Sequence, residues 1–295
     1  MRVFVTGASG FIGSALVPEL LAAGHQVIGL ARSDESAQAL VAAGACAHPG
    51  SLEDIESLQA GAAAADGVVH LAFIHDFSNF EASCDTDRRA IEAMASALAG
   101  SNRPLIVTAG VTITPGRAST EEDPPVPSSI NPRALSEETA LAAARQGINV
   151  SVMRLPQVHD PQRQGLVTVM TALAREKAVS PFVGDGANCF PAVHVLDAAR
   201  LYRLAIENAT AGTRYHAVAE EGVPLRAIAE AVGRRVNVPS VSISADEAAA
   251  HFGWLARFAS LDMLTSSALT QQRFGWHPTG PGLIADIDTV PARAS

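Results

Sequence analysis

A chain of 295 residues with 48% apolar residues is long enough for one large core, or one core with a smaller satellite, at the usual ~100–200 residues per domain. A net charge of −9 excludes nucleic acid as the main partner, because that binding rests on clustered Lys and Arg. No run approaches the roughly 18 uninterrupted apolar residues of a membrane span, and the N-terminus enters a strand without a signal-peptide pattern, so no membrane association and a cytoplasmic location are expected.

Short apolar runs alternate with longer Ala- and Leu-rich stretches through the first half. Strands are expected at Arg2 to Thr6, Gln26 to Leu30, Ala45 to His48, Gly67 to Leu71, Pro104 to Thr108 and Asn149 to Arg154. Helices are expected near Phe11 to Ala23, Asp34 to Ala43, Leu52 to Gln59, Glu81 to Leu98 and Pro132 to Gln146. Strands apolar on both faces, alternating with helices, predict an α/β fold with a doubly wound parallel sheet of the Rossmann type. After Arg154 come a loop (Pro156 to Gly165), a helix near Leu166 to Lys177 and a Gly184-Asp185-Gly186 turn. Helix returns at His194 to Asn208, Thr213 to Val218 reads as a strand, and helices follow around Leu225 to Val232 and Ala245 to Phe252. The expected division is 1–165 plus about 190–218 as the dinucleotide-binding part, with about 166–189 and 219–295 as a smaller substrate-binding portion that closes over the sheet edge.

The first strand runs into Thr6-Gly7-Ala8-Ser9-Gly10-Phe11-Ile12-Gly13. Gly7 permits the tight turn, Gly10 lets backbone approach a pyrophosphate, and Gly13 lets the following helix pack close to the strand. The N–H groups around Ser9, Phe11 and Ile12 and the positive helix end can then hold phosphate. The spacing is Gly-x-x-Gly-x-x-Gly, and its setting between a strand and a helix points to a dinucleotide. At the end of the second strand, Leu30-Ala31-Arg32-Ser33 presents no carboxylate for a ribose 2′-OH, while Arg32 can pair with a 2′-phosphate, so NADP is favoured over NAD.

These features resemble the extended short-chain dehydrogenase/reductases, the group of NAD-dependent epimerases and dehydratases. The resemblance rests on Thr6 to Gly13, on Val69-His70-Leu71-Ala72, on Arg154-Leu155-Pro156-Gln157-Val158-His159-Asp160-Pro161 and on Val193 to Ala199. It implies that Leu52 lies against the adenine, Leu71 and Ala72 beside the ribose and phosphates, and Pro156 to Val158 beside the nicotinamide. It also implies a homodimer. The family's chemistry uses a Ser or Thr after the fifth strand, here Thr108, and a Tyr-x-x-x-Lys on the next helix. That pair is missing, because Lys177 is the one lysine and Leu173 stands four residues before it. The chain resembles the atypical members that keep the cofactor signature and lose the pair.

In that helix Arg133-Ala134-Leu135-Ser136-Glu137 falls where the family would show Tyr-x-x-Ser-Lys. Arg133 stays protonated and can steady an oxyanion without donating a proton. Glu137 reads either as a proton carrier or as an exposed first-turn carboxylate. His75, with Asp76 after the fourth strand, can supply the missing acid or be a polar rim residue. His70 and His194 read as packed core histidines, and His159 as a positional loop residue. Cys46, Cys84 and Cys189 match no metal-ligand spacing and read as buried small apolar side chains; no metal is expected. Phe252-Gly253-Trp254-Leu255, Phe274 and Trp276 read as core or dimer interface before substrate pocket. Two functions follow: an NADP-dependent oxidoreductase, with epimerase or dehydratase chemistry as a variant, acting on a carbonyl or alcohol of a small molecule, or a non-catalytic NADP-binding sensor.

Overall fold

The structure is a computed structural model that describes residues 1–289; the last six positions of the expected substrate-binding portion, 290–295, lie outside the described residues. In chain order the first half holds β1 (Arg2–Thr6), α1 (Gly13–Ala22), β2 (Gln26–Ala31), α2 (Asp34–Ala42), β3 (Cys46–Pro49), α3 (Ile55–Ala63), β4 (Gly67–His70), α4 (Phe80–Leu98), β5 (Leu105–Gly110), α5 (Leu135–Arg145) and β6 (Val150–Leu155). There follow β7 (Gln157–His159), α6 (Leu166–Lys177), β8 (Ser180–Val183), β9 (Cys189–His194), α7 (Val195–Glu207) and β10 (Arg214–His216). The chain continues through β11 (Glu220–Pro224), α8 (Leu225–Val236), β12 (Ser240–Ile243), α9 (Ala245–Phe252), α10 (Ala256–Ala259), α11 (Ala268–Phe274) and α12 (Leu283–Asp288).

Seven parallel strands form the central sheet in the order β10-β6-β5-β4-β1-β2-β3. The chain starts at β1, winds outward to β3, then returns to the other side of β1. The gap between the carboxyl ends of β1 and β4 is therefore the topological switch point, where such sheets place ligands. Side-chain alternation builds a core on each face: Val3, Val5, Val69, Ile106 and Met153 pack toward α1 and α7, and Phe4, Val68, Leu105, Val107 and Val152 pack toward α3, α4 and α5. A third cluster joins α6, β9, α8, α9 and α12, with Val167, Phe190, Ile228, Phe252 and Leu283 at its centre.

Five short strands were not among the expected elements. Strands β7, β9 and β11 make a three-stranded sheet, and β8 pairs with β12 in a separate ribbon. They are three to six residues long, too short to show a period. Pro181, Pro191 and Pro224 inside them argue locally against strand. Leu52 lies in a turn three residues ahead of α3, and Phe11 precedes α1 by two. His159 lies within β7 and is fully buried, which corrects its expected loop position. The cysteine expectation holds for Cys84 alone: Cys46 is exposed and Cys189 intermediate, because β3 is an edge strand and Cys189 opens β9; all three are free thiols.

Candidate active site

The turn between β1 and α1 is built without room for side chains. Gly7 has φ of +68° and a Cβ there would stand 2.8 Å from the Ala72 backbone nitrogen; a Cβ on Gly13 would stand 2.1 Å from the Gly7 carbonyl. Leu71 and Ala72 thus seat directly against the turn. Ile12 caps α1 with no side-chain hydrogen bond, and the first turn of α1 carries no acid. An uncapped helix end beside exposed Ser9 and Gly10 fits a diphosphate, whose charge satisfies those N–H groups and the helix dipole. The Arg163 guanidinium lies 5.5 Å over the Phe11 ring, bringing the loop after β7 to the same turn. Pro156 is partly buried and Val158 buried along that path.

Arg32 is exposed just beyond β2 and forms no salt bridge among the described residues. Ser33 spends its hydroxyl on capping α2 through the Ser36 N–H at 3.2 Å. Leu52 is buried in the core on the far side of the sheet from α1.

From the turn, a chain of polar contacts crosses the sheet edge. Thr6 and His70 share the face of Phe4 and Val68, so both aim at α4. The Thr6 hydroxyl contacts His70 Nδ1 at 2.7 Å and accepts from the Ala72 N–H at 3.2 Å. His70 Nε2 meets Asp87 Oδ1 at 3.0 Å. Both ring nitrogens of His70 are thus partnered, one by the Thr6 hydroxyl and the other by the Asp87 carboxylate. Ser136 donates to the other Asp87 oxygen and accepts from Arg133. Burial pushes the Asp87 carboxyl up, but His70, Arg133 and Ser136 outweigh it and hold the pKa below the usual carboxylate value. Arg133 also donates to the Thr108 carbonyl at 2.9 Å and lies 4.3 Å over the Phe73 ring. Its guanidinium is thus fixed at the carboxyl ends of β4 and β5.

Thr108 follows the parity of Ile106 and faces α7. Its hydroxyl is 2.7 Å from the His70 carbonyl and 2.7 Å from the buried Tyr202 hydroxyl. With one proton to give, Thr108 donates to the carbonyl and accepts from Tyr202, whose phenol burial holds well above the usual value. Orienting a substrate oxygen by donation therefore requires Thr108 to release His70. His75 is exposed in the loop after β4, edge-on to Phe73 at 5.2 Å. Partial burial of the ring first, and the Arg133 charge second, lower its pKa.

Glu137 is buried, not an exposed first-turn carboxylate as its position on α5 allowed. Its oxygens take Arg154 and Arg214, because the face of α5 that carries it packs on β6. Sequence reasoning missed Asp87 and Tyr202, which lie mid-helix with no local motif. It also missed Phe73, which the aromatic run from Phe73 to Phe80 signalled.

A glycine turn at the switch point of a doubly wound parallel sheet defines the Rossmann class of dinucleotide-fold proteins. Within it, the chain belongs to the NAD dependent epimerase/dehydratase family, whose model matches residues 3–219. It is 49% identical over 290 residues to an uncharacterized protein of Schizosaccharomyces pombe, covering 97% of this chain and 98% of that one. It is 28% identical over 269 residues to a 4-hydroxy-2-methyl-3-oxo-4-farnesyl-3,4-dihydroquinoline-1-oxide ketoreductase of Stigmatella aurantiaca, covering 86% of this chain and 80% of the ketoreductase. The fold matches a dTDP-glucose 4,6-dehydratase from Streptomyces venezuelae, solved with NAD and TYD bound, with a TM-score of 0.76, 21% identity and coverage of 97% and 96%. No helix among the described residues is long and apolar enough to cross a membrane, and no group of three or more metal-ligating side chains occurs among them.

Proposed function

We propose that this chain is an NADP-dependent oxidoreductase acting on a carbonyl or alcohol of a small organic substrate. The observation that carries the reading is the fixed Arg133 guanidinium at the ends of β4 and β5, held by Asp87, Ser136 and the Thr108 carbonyl and linked through Asp87 and His70 to Thr6, which precedes the glycine turn. When bound, the dinucleotide supplies or accepts the hydride. Gly7, Ser9, Gly10, Phe11, Ile12 and Gly13 hold the diphosphate, and Leu71 and Ala72 flank it. Arg32 pairs with the 2′-phosphate, with Ser33 left to its helix cap. Leu52 borders the adenine, and Pro156 and Val158 border the nicotinamide.

In carbonyl reduction, carbon gains a hydride and oxygen gains a proton. Arg133 stabilises the negative charge that develops on the oxygen. His75 supplies the proton, and Thr108 orients the oxygen once its bond to His70 opens. On this reading residues 1–165 with about 190–218 carry the cofactor and about 166–189 with 219–295 carry the substrate; a homodimer follows by family analogy. A second reading, an NADP-binding sensor without turnover, is favoured by the commitment of the Thr108 hydroxyl to His70 and Tyr202. Titration with NADPH and NADH, followed by a carbonyl screen read at the nicotinamide absorbance, separates the two. Tight binding with no oxidation of NADPH by any carbonyl class selects the sensor.

A further inference from the structure

The loop after β4 and the turn after α9 meet through two aromatic rings. Phe77 and Trp254 stack with centroids 4.6 Å apart and planes at 16°, although Phe77 is 49% and Trp254 46% exposed. Inward from them, Phe80 stacks on Phe77 at 5.8 Å and Phe73 meets Phe80 edge-on at 5.9 Å. The row ends under the Arg133 guanidinium, 4.3 Å over Phe73. Aromatic surface thus runs without interruption from solvent to the cation at the ends of β4 and β5.

Core packing reaches this row only at its outer end, where Trp254 meets Phe258 edge-on at 6.2 Å and Phe258 packs against the third cluster. Phe73, Phe77, Phe80 and Trp254 belong to none of the three buried apolar clusters. Phe77 and Trp254, left half in water, hold apolar area in reserve for a ligand. A hydroxyl-rich ligand such as a nucleotide sugar instead needs several free donors and acceptors along its wall. Polar groups here are few and mostly engaged: Arg133 is held as described, Asp76 turns to Ser78, and His75 sits at the rim.

We propose that this aromatic row is the substrate wall, and that the substrate class is a flat, aryl-bearing carbonyl compound or its alcohol, with the ring against Phe77 and Trp254 and the oxygen toward Arg133. The inference rests on the proposed use of the cleft as the reaction site, so its test reads binding and not turnover.

The protein saturated with NADPH is titrated with benzylacetone, acetone and UDP-glucose and followed by saturation-transfer NMR. Benzylacetone binds, and the other two bind about tenfold more weakly or worse. Trp254→Ala and Phe77→Ala each weaken benzylacetone by roughly three- to tenfold, and Trp254→Phe recovers most of the loss; circular dichroism establishes that each variant is folded. Absent benzylacetone binding, tighter binding of UDP-glucose, or indifference of a folded Trp254→Ala protein each overturns the proposal. Aryl binding without any turnover leaves the wall standing and removes the oxidoreductase reading. Turnover of a carbonyl without dependence on Trp254 or Phe77 does the reverse.

Discussion

Glu137 and Arg154 form a buried two-point ion pair. Glu137 Oε2 takes Arg154 Nε at 2.8 Å and Oε1 takes Nη2 at 2.6 Å, and Oε1 also takes Arg214 Nε at 2.6 Å. Arg154 also donates to the Asp123 carbonyl at 2.8 Å and meets His216 Nε2 at 3.2 Å, so the Glu137–Arg154 pair ties together α5, β6, β10 and the loop before α5.

Removing that carboxylate strands a guanidinium with no access to water. Glu137→Gln is expected to destabilise the fold by about 3–5 kcal/mol, read as a shifted denaturant midpoint. Unchanged stability with reduced turnover would instead make Glu137 a proton carrier.

Gly13→Ala places a methyl group into the Gly7 and Ala8 carbonyls, 2.1 and 2.6 Å from the new carbon. Backbone on both sides cannot yield, and the turn must open. NADPH affinity is expected to fall by at least about tenfold, on the order of 1–3 kcal/mol of strain. A fluorescence titration that shows full affinity would put the dinucleotide elsewhere.

Arg32→Asp replaces a cation that forms no salt bridge among the described residues with a charge that repels a 2′-phosphate. Charge-assisted hydrogen bonds contribute roughly 1.5–3 kcal/mol, so NADPH binding should weaken by about ten- to a hundredfold while NADH binding changes little. Equal losses for both would refute the NADP assignment.

His75 titrates below its ordinary 6.5, through partial burial and the Arg133 charge. As the acid in reduction it must be protonated, so the rate of carbonyl reduction should fall as pH rises through that lowered pKa. The reverse oxidation, which needs the neutral ring, should rise over the same interval. His75→Gln is expected to erase this limb and slow reduction by roughly a hundredfold. A variant that keeps the wild-type pH profile would leave water as the proton source.

His159 and His216 are buried, and burial lowers both below 6.5 in the fold. A depressed folded pKa gives stability that is present above the unfolded value and is lost as pH falls. Acid weakening should therefore begin near pH 6.5 and continue down toward the lowered pKa values. Asp87, also depressed, keeps its whole contribution above its unfolded 3.8 and loses it only below that value. Thermal unfolding between pH 7 and 5 measures the histidine part alone; a flat profile there would contradict the burial of both rings.

Much of this molecule was legible locally. β1 and α6 have the expected bounds and α9 likewise: the two helices because their apolar spacing spans enough residues to show a period, and β1 because its apolar run stops at the glycine turn. Gly7 and Gly13 were legible for a different reason: a glycine required by backbone contact is a local demand of one turn. The strands β7, β8 and β9 were not, since β7 is only three residues long and Pro181 and Pro191 argue locally against strand in the other two. Cys46 was misjudged as buried because apolar character does not reveal which strand ends at the sheet edge.

By itself the sequence determined the Rossmann class, the glycine turn, the absence of Tyr-x-x-x-Lys and an arginine in place of an acid after β2. All of these are properties of short windows or of composition. Only the tertiary structure decided that Thr108 answers to Tyr202, 94 residues away, that Arg133 is held by Asp87, 46 residues away, and that Phe77 meets Trp254. The sheet's crossovers and side-chain parity bring these residues together, and neither is written in the residues beside them.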